Sequence, residues 1–158
     1  MKKRKTPKKP GRAARKPPPG KPSAGKKPST SDPLLAPIEG ADRRSVGGVR
    51  IDILRAGNGR IKRVVYPPGF RWSTHMKPMV GTSLCMHAHV GFLARGRIRG
   101  EYGDGCAYEF AAPRALVIEP GHDGWVVGDE PAVLIQFDAE DETARQFGLP
   151  EEHRHARA

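Results

Sequence analysis

From Val49 onward this chain is a succession of short extended segments broken by Gly, Pro, Asn and Asp, and that rhythm limits its fold more than any other feature. Val49–Leu54 alternates apolar and polar residues, as a half-buried strand does. Gly57-Asn58-Gly59 turns the chain into Ile61–Tyr66, which Pro67-Pro68-Gly69 ends. A third strand is expected over Ser83–Ala94, and Ile98–Tyr102 and Cys106–Phe110 flank Gly103-Asp104-Gly105, a hairpin signal. Ala115–Ile118, Trp125–Val127 and Ala132–Phe137 complete the set. Phe70–Met79 is expected to be irregular, because Pro78 opposes a helix, and only Asp141–Phe147 reads as helical. Seven or eight short strands with almost no helix predict an all-β sandwich or small barrel.

The formal charge of +11 on 158 residues is not spread evenly. Residues 1–31 hold twelve of the 28 Lys and Arg, seven prolines and no acid, so the rest of the chain is nearly neutral, with sixteen basic and seventeen acidic residues. Nothing aromatic precedes Tyr66. Such a segment cannot bury enough apolar surface to offset its ordering entropy. The expected organisation is a disordered Lys/Arg/Pro-rich tail and linker over 1–47, with the linker at 34–47. A barrel domain over 48–140 follows, then a short helix and flexible tail over 141–158.

Three readings of the basic tail remain open. Lys2, Lys3, Arg4, Lys5, Lys8, Lys9, Arg12, Arg15 and Lys16 suit non-specific binding to nucleic-acid phosphates by counterion release. The tail also suits an intramolecular contact with Asp138, Glu140, Asp141 and Glu142, or a purely solubilising role. The start Met-Lys-Lys-Arg-Lys lacks the apolar region of a secretory signal, and no apolar run approaches the ~20 residues of a membrane helix. Two cysteines make no secreted disulfide framework. A cytoplasmic protein without membrane partners is therefore expected.

The chemistry concentrates in Ser83–Gly96, where Cys85, His87 and His89 occupy alternate positions. In an extended strand these three face one way. His122, in Glu119-Pro120-Gly121-His122-Asp123, offers a fourth ligand from a later turn. A Cys/His set favours Zn²⁺ or Fe²⁺ over the oxygen-seeking Mg²⁺ and Ca²⁺. The competing reading makes the apolar even positions, Leu84, Met86, Ala88, Val90 and Phe92, the core face. The histidines would then be solvated or line a metal-free pocket. Cys85 acting as a nucleophile would need a base and a lowered pKa, which His87 or His89 can supply; the alternative is a buried thiol behaving as a small hydrophobe. Trp72, His75, Phe92 and Trp125 are candidate walls of a small-ligand pocket. Core packing for Trp125 and loop exposure for His75 are the plainer alternatives. Cys106 either packs in its hairpin strand or pairs with Cys85, and His153 and His155 are expected to be solvated.

Gly91-Phe92-Leu93-Ala94-Arg95-Gly96-Arg97-Ile98, with Glu119-Pro120-Gly121-His122 and Trp125-Val126-Val127-Gly128-Asp129-Glu130-Pro131, resembles the two motifs of the cupin superfamily. The resemblance runs over roughly residues 49–138, and it is nearest to small single-domain bacterial cupins. It implies a double-stranded β-helix, or jelly-roll barrel, that binds a small molecule, with a metal-dependent oxygenase or isomerase as the alternative. It also implies the homodimers common in that family, for which an apolar outer sheet face would suit. Two registers are compatible with the first motif. One places Gly81, His87, His89 and Gly100 on the pattern, with Leu93 in the Glu slot. The other, anchored on the turn glycine Gly96, places Cys85 and His89 in ligand slots and Ser83 in the remaining one. The second motif departs from the family pattern at Pro113, Glu119 and Gly124.

Overall fold

The structure, a computed structural model, describes residues 32–140 and 142–155. The basic side chains expected to contact phosphate all lie outside the described residues. Among the described residues nine strands carry the fold: β1 Asp42–Val46, β2 Val49–Ala56, β3 Gly59–Tyr66, β4 His89–Arg95, β5 Arg97–Tyr102, β6 Ala107–Ala111, β7 Arg114–Ile118, β8 His122–Val126 and β9 Ala132–Asp138. Three single-turn helices accompany them, α1 Trp72–His75, α2 Lys77–Val80 and α3 Thr143–Gln146. All strand pairs are antiparallel. They form a six-stranded sheet, β1-β2-β3-β9-β4-β7, and a three-stranded sheet, β6-β5-β8. The all-β jelly-roll expectation holds.

Strand register explains why one end of the interior is polar. The cross-strand row Ile51, Val64, Leu134 and Leu93 points inward, and Leu93 and Leu134 are almost wholly buried. Period-2 alternation brings Lys62, Gln136 and Gly91 to the same face one step further along, and then Asp138. Gly91 is required here: a Cβ on it would sit 2.0 Å from the Ile135 carbonyl oxygen. On the opposite, outer face, Leu54, Ile61, Phe137, Val90 and Val117 form an apolar row across five strands, most of it exposed.

Four expectations need correction. The segment expected as a linker carries β1, paired with β2 in unbroken register. It is anchored further by Arg50 to the Leu35 carbonyl, Arg63 to the Ala36 carbonyl, and an Arg95–Asp32 ion pair. Second, the strand expected from Ser83 begins only at His89, because a strand needs a ladder and residues 83–88 meet a neighbour at a single bridge, Cys85 to His122. Third, Phe70–Met79 includes α1 and most of α2. Pro78 lies in the first turn of α2, where no intrahelical N–H is needed. Fourth, the C-terminal segment returns to the barrel: the His153 amide donates to the Pro120 carbonyl (3.0 Å), and its ring stacks on Tyr102 at 3.7 Å between centroids.

Candidate metal centre and cavity

The polar end of the interior brings Cys85, His89 and His122 together from three elements. Cys85 is held by backbone bonds to β8: its N–H donates to the His122 carbonyl (2.8 Å), and its carbonyl accepts from Gly121 (2.8 Å). His89 opens β4 opposite Ile118, and His122 opens β8 opposite Tyr102. One donor atom from each of the three lies within 4.8 Å of the others, and Cys85 Sγ is 3.9 Å from His89 Nε2. Donors bound to one ion at ~2.0–2.3 Å lie about 3.3–3.8 Å apart in a tetrahedron, so the set must contract by about an ångström to grip an ion.

Each imidazole is oriented by its second nitrogen. His89 Nδ1 donates to Gln136 Oε1 (2.7 Å), and His122 Nδ1 donates to the Glu119 carbonyl (2.7 Å). Both rings therefore present an unprotonated Nε2, the arrangement that outer-shell partners impose on metal-binding histidines. Burial pushes His122 down to about 4. His89 falls well below the ordinary imidazole range, through burial and the neighbouring His122 and His87. Both rings are thus neutral at neutral pH. Burial pushes the Cys85 thiol up to about 11, which leaves it a poor nucleophile on its own. A cation here would displace the thiol proton.

His87 does not join this group. It turns to Asp138, with Nε2 2.8 Å from Oδ1, and to Lys62 Nζ at 3.3 Å. Asp138 also takes Arg60, Lys62 (3.1 Å) and the Thr143 hydroxyl (2.9 Å), so His87 belongs to a buried ion-pair network beside the cavity. Its parity with Cys85 and His89 fails because residues 83–88 are not a regular strand.

The three donors open into a cavity of about 510 Å³ with mostly apolar walls. Val49, Ile51, Val64, Ile98, Val126 and Leu134 come from the two sheets, and Phe70, Trp72 and Met76 from the segment through α1. Of the expected pocket residues, Trp72 and Trp125 line this space. Phe92 and His75 do not. Phe92 is on the outer sheet face, 43% exposed. His75 folds back on its own helix, with Nδ1 2.9 Å from the Arg71 carbonyl oxygen, and its ring packs on Phe70. Trp125 is capped from outside by Arg71, 4.6 Å from its ring centroid.

Several lining residues went unread in the sequence: Tyr66, Tyr108, Lys62 and Gln136. Burial raises both phenols, so each is a neutral O–H at physiological pH. The available signal was a polar residue at inward parity within an apolar strand, as Gln136 is in β9 and Lys62 in β3. Both cysteines are free, so the alternative of a Cys85–Cys106 link is set aside. Among the described residues no helix is long and apolar enough to cross a membrane.

The strand order and the two facing antiparallel sheets define an all-β jelly-roll barrel, the fold that the cupin resemblance implies. Neither a family model nor a curated protein matches the chain. Solved structures similar to it include a cupin-2 domain from Rhodospirillum rubrum, at 19% identity over 66% of this chain and 74% of that one, with a TM-score of 0.48. A Cupin 2 conserved barrel domain protein from Salinispora arenicola gives 17% identity over 72% and 94% of the two chains, with a TM-score of 0.47. A cupin-like protein from Thermotoga maritima gives 17% identity over 61% and 77%, with a TM-score of 0.42. The fold assignment stands on the topology itself.

Proposed function

We propose that this chain is a cupin-type small-molecule-binding protein whose apolar cavity ends in a divalent metal centre on Cys85, His89 and His122. The observation that carries the reading is the pair of committed Nδ1 atoms. Gln136 and the Glu119 carbonyl leave both Nε2 lone pairs uncommitted, with that of His89 3.9 Å from the Cys85 sulfur and a donor atom of His122 within 4.8 Å of the other two residues' donors. The donor set fits Zn²⁺, or Fe²⁺ with open positions. When bound, the ion supplies a Lewis-acidic contact for the head group of a ligand whose apolar body fills the cavity. Trp72 and Trp125 wall that body, and the Tyr66 and Tyr108 hydroxyls offer neutral donors.

A second reading, a metal-dependent oxygenase or isomerase, is favoured by one feature: three protein ligands leave a coordination position free, as catalytic sites do and structural ones do not. The basic tail is proposed to add non-specific nucleic-acid binding, on its charge alone. The free cysteines support a reducing, cytoplasmic setting.

Elemental analysis of untagged protein tests the centre. With the Cys106 thiol substituted so that only the cavity is read, about one divalent ion per chain is expected. His89→Ala should abolish its retention, and His87→Ala should leave it in place. Protein that takes up no divalent ion, or that loses it with His87 rather than His89, overturns the proposal.

A further inference from the structure

A second cluster of ligand-type side chains lies away from the cavity, where the C-terminal segment crosses the β5–β6 turn. One donor atom from each of Cys106, His153 and His155 lies within 4.8 Å of the others. Asp104 stands beside them: its Oδ1 accepts from the Cys106 N–H (2.9 Å). Its Oδ2 lies 3.3 Å from His155 Nε2 and 3.9 Å from His153 Nε2. His153 is the most constrained member. Its amide is tied to the Pro120 carbonyl, its ring is stacked on Tyr102, and its Nδ1 is paired with the Glu119 carboxylate. That leaves Nε2 buried with no hydrogen-bond partner. A buried, unpaired polar atom costs free energy, so its retention calls for an explanation.

We propose that Cys106, His153, His155 and Asp104 form a second metal site, of the structural zinc type, which fastens the C-terminal segment to the β5–β6 hairpin. A cation placed among the four donors supplies the missing partner of His153 Nε2. Glu119, paired with Nδ1, then acts as the outer-shell carboxylate that fixes the tautomer. A thiolate, two imidazoles and a carboxylate complete a four-coordinate set, which suits Zn²⁺ and leaves no open position. The site's role is to hold the chain end rather than to bind substrate. It shares no ligand with the cavity, although Glu119 touches both: its carbonyl orients His122, and its carboxylate orients His153.

The test uses the full chain carrying Cys85→Ser and His89→Ala, so that two of the three cavity donors are gone, His122 alone cannot hold an ion, and the outcome is independent of the proposed cavity centre. Zn²⁺ uptake is measured by competition with a chromophoric chelator, and Co²⁺ is added as a spectroscopic probe. One equivalent should bind, and Co²⁺ should show thiolate-to-metal absorption. Adding Cys106→Ser should remove that absorption. It should also weaken Zn²⁺ by more than the ~10–100-fold that loss of an outer-shell partner costs. His155→Ala, at a side chain 66% exposed and so harmless to the fold, should weaken binding by at least ~10-fold. No bound metal in the double variant overturns the proposal, and so does Co²⁺ binding without thiolate absorption. Affinity unmoved by both further substitutions overturns it as well. His153 would then serve only to tie the C-terminal segment to Glu119 and Tyr102.

Discussion

Replacing Asp138 with Asn tests the ion-pair network beside the cavity. The Asp138 carboxylate is almost wholly buried and accepts from Arg60 (Nε, 2.7 Å), Lys62 (3.1 Å), His87 (2.8 Å) and the Thr143 hydroxyl (2.9 Å). Burial alone would push its carboxyl up. The His87 hydrogen bond and the Lys62 charge outweigh burial and hold it far below the ordinary carboxylate range. Asn preserves shape and keeps a bond from Thr143. It removes the anion from Lys62, whose side chain is 13% exposed and whose ammonium burial already disfavours. Breaking a buried pair from one side costs about 3–5 kcal/mol, and the residual hydrogen bonding places this variant near ~3 kcal/mol. That corresponds to a fall in Tm of roughly 10 °C for a domain of this size.

The pH dependence supplies a second readout for the same variant. The folded carboxyl titrates below its unfolded value of ~3.9, so its contribution is complete above that pH and is lost as pH falls toward the folded value. Below about pH 3.9, wild type should lose up to ~1.4 kcal/mol per pH unit more than Asp138→Asn, and the gap between them should narrow. Urea unfolding at a series of pH values measures both quantities. A cost below ~1 kcal/mol near neutral pH, or parallel curves in acid, would refute the reasoning.

Gln136→Leu should weaken metal binding in the cavity ~10–100-fold without unfolding the barrel, because His89 loses the acceptor that fixes its tautomer; an unchanged affinity would separate Gln136 from the centre. Gly91→Ala should cost at or beyond the ~1–3 kcal/mol of an overpacked core, since its Cβ meets β9 backbone, and a variant as stable as wild type would contradict the β4–β9 register. Full-length protein should bind duplex DNA weakly, and if it neutralises about five phosphates, log K should fall with log[salt] at a slope near about −4 to −5. Binding that survives removal of residues 1–31 would place it elsewhere on the chain.

The strands from β2 onward were legible because each has a ladder on at least one side and an inward face to bury. Ile61–Tyr66 and Ala132–Phe137, expected from alternation and apolarity, recur within β3 and β9, and the Gly103-Asp104-Gly105 turn joins β5 to β6. β1 was missed because Asp42–Val46 lies at a sheet edge and carries mostly exposed polar residues. No buried face wrote a pattern into it. Its pairing is set instead by the Gly47-Gly48 turn, where both glycines adopt positive φ.

The candidate centre exposes a different limit. Alternation put Cys85, His87 and His89 on one face, yet of the three only Cys85 and His89 bring their donor atoms to the centre, and alternation is not what joins them. Cys85 reaches the centre through its bridge to His122, and His89 through its place at the head of β4 beside Gln136. His87 is drawn off by Asp138, a partner fifty-one positions downstream. Parity is local and can be read along a strand. The hydrogen bonds that place a loop residue run to distant elements and leave no periodic trace. For the same reason His153 and His155 read as solvated. Their significance lies in Cys106, Asp104 and Glu119, which the C-terminal segment meets only once it has folded back across the hairpin.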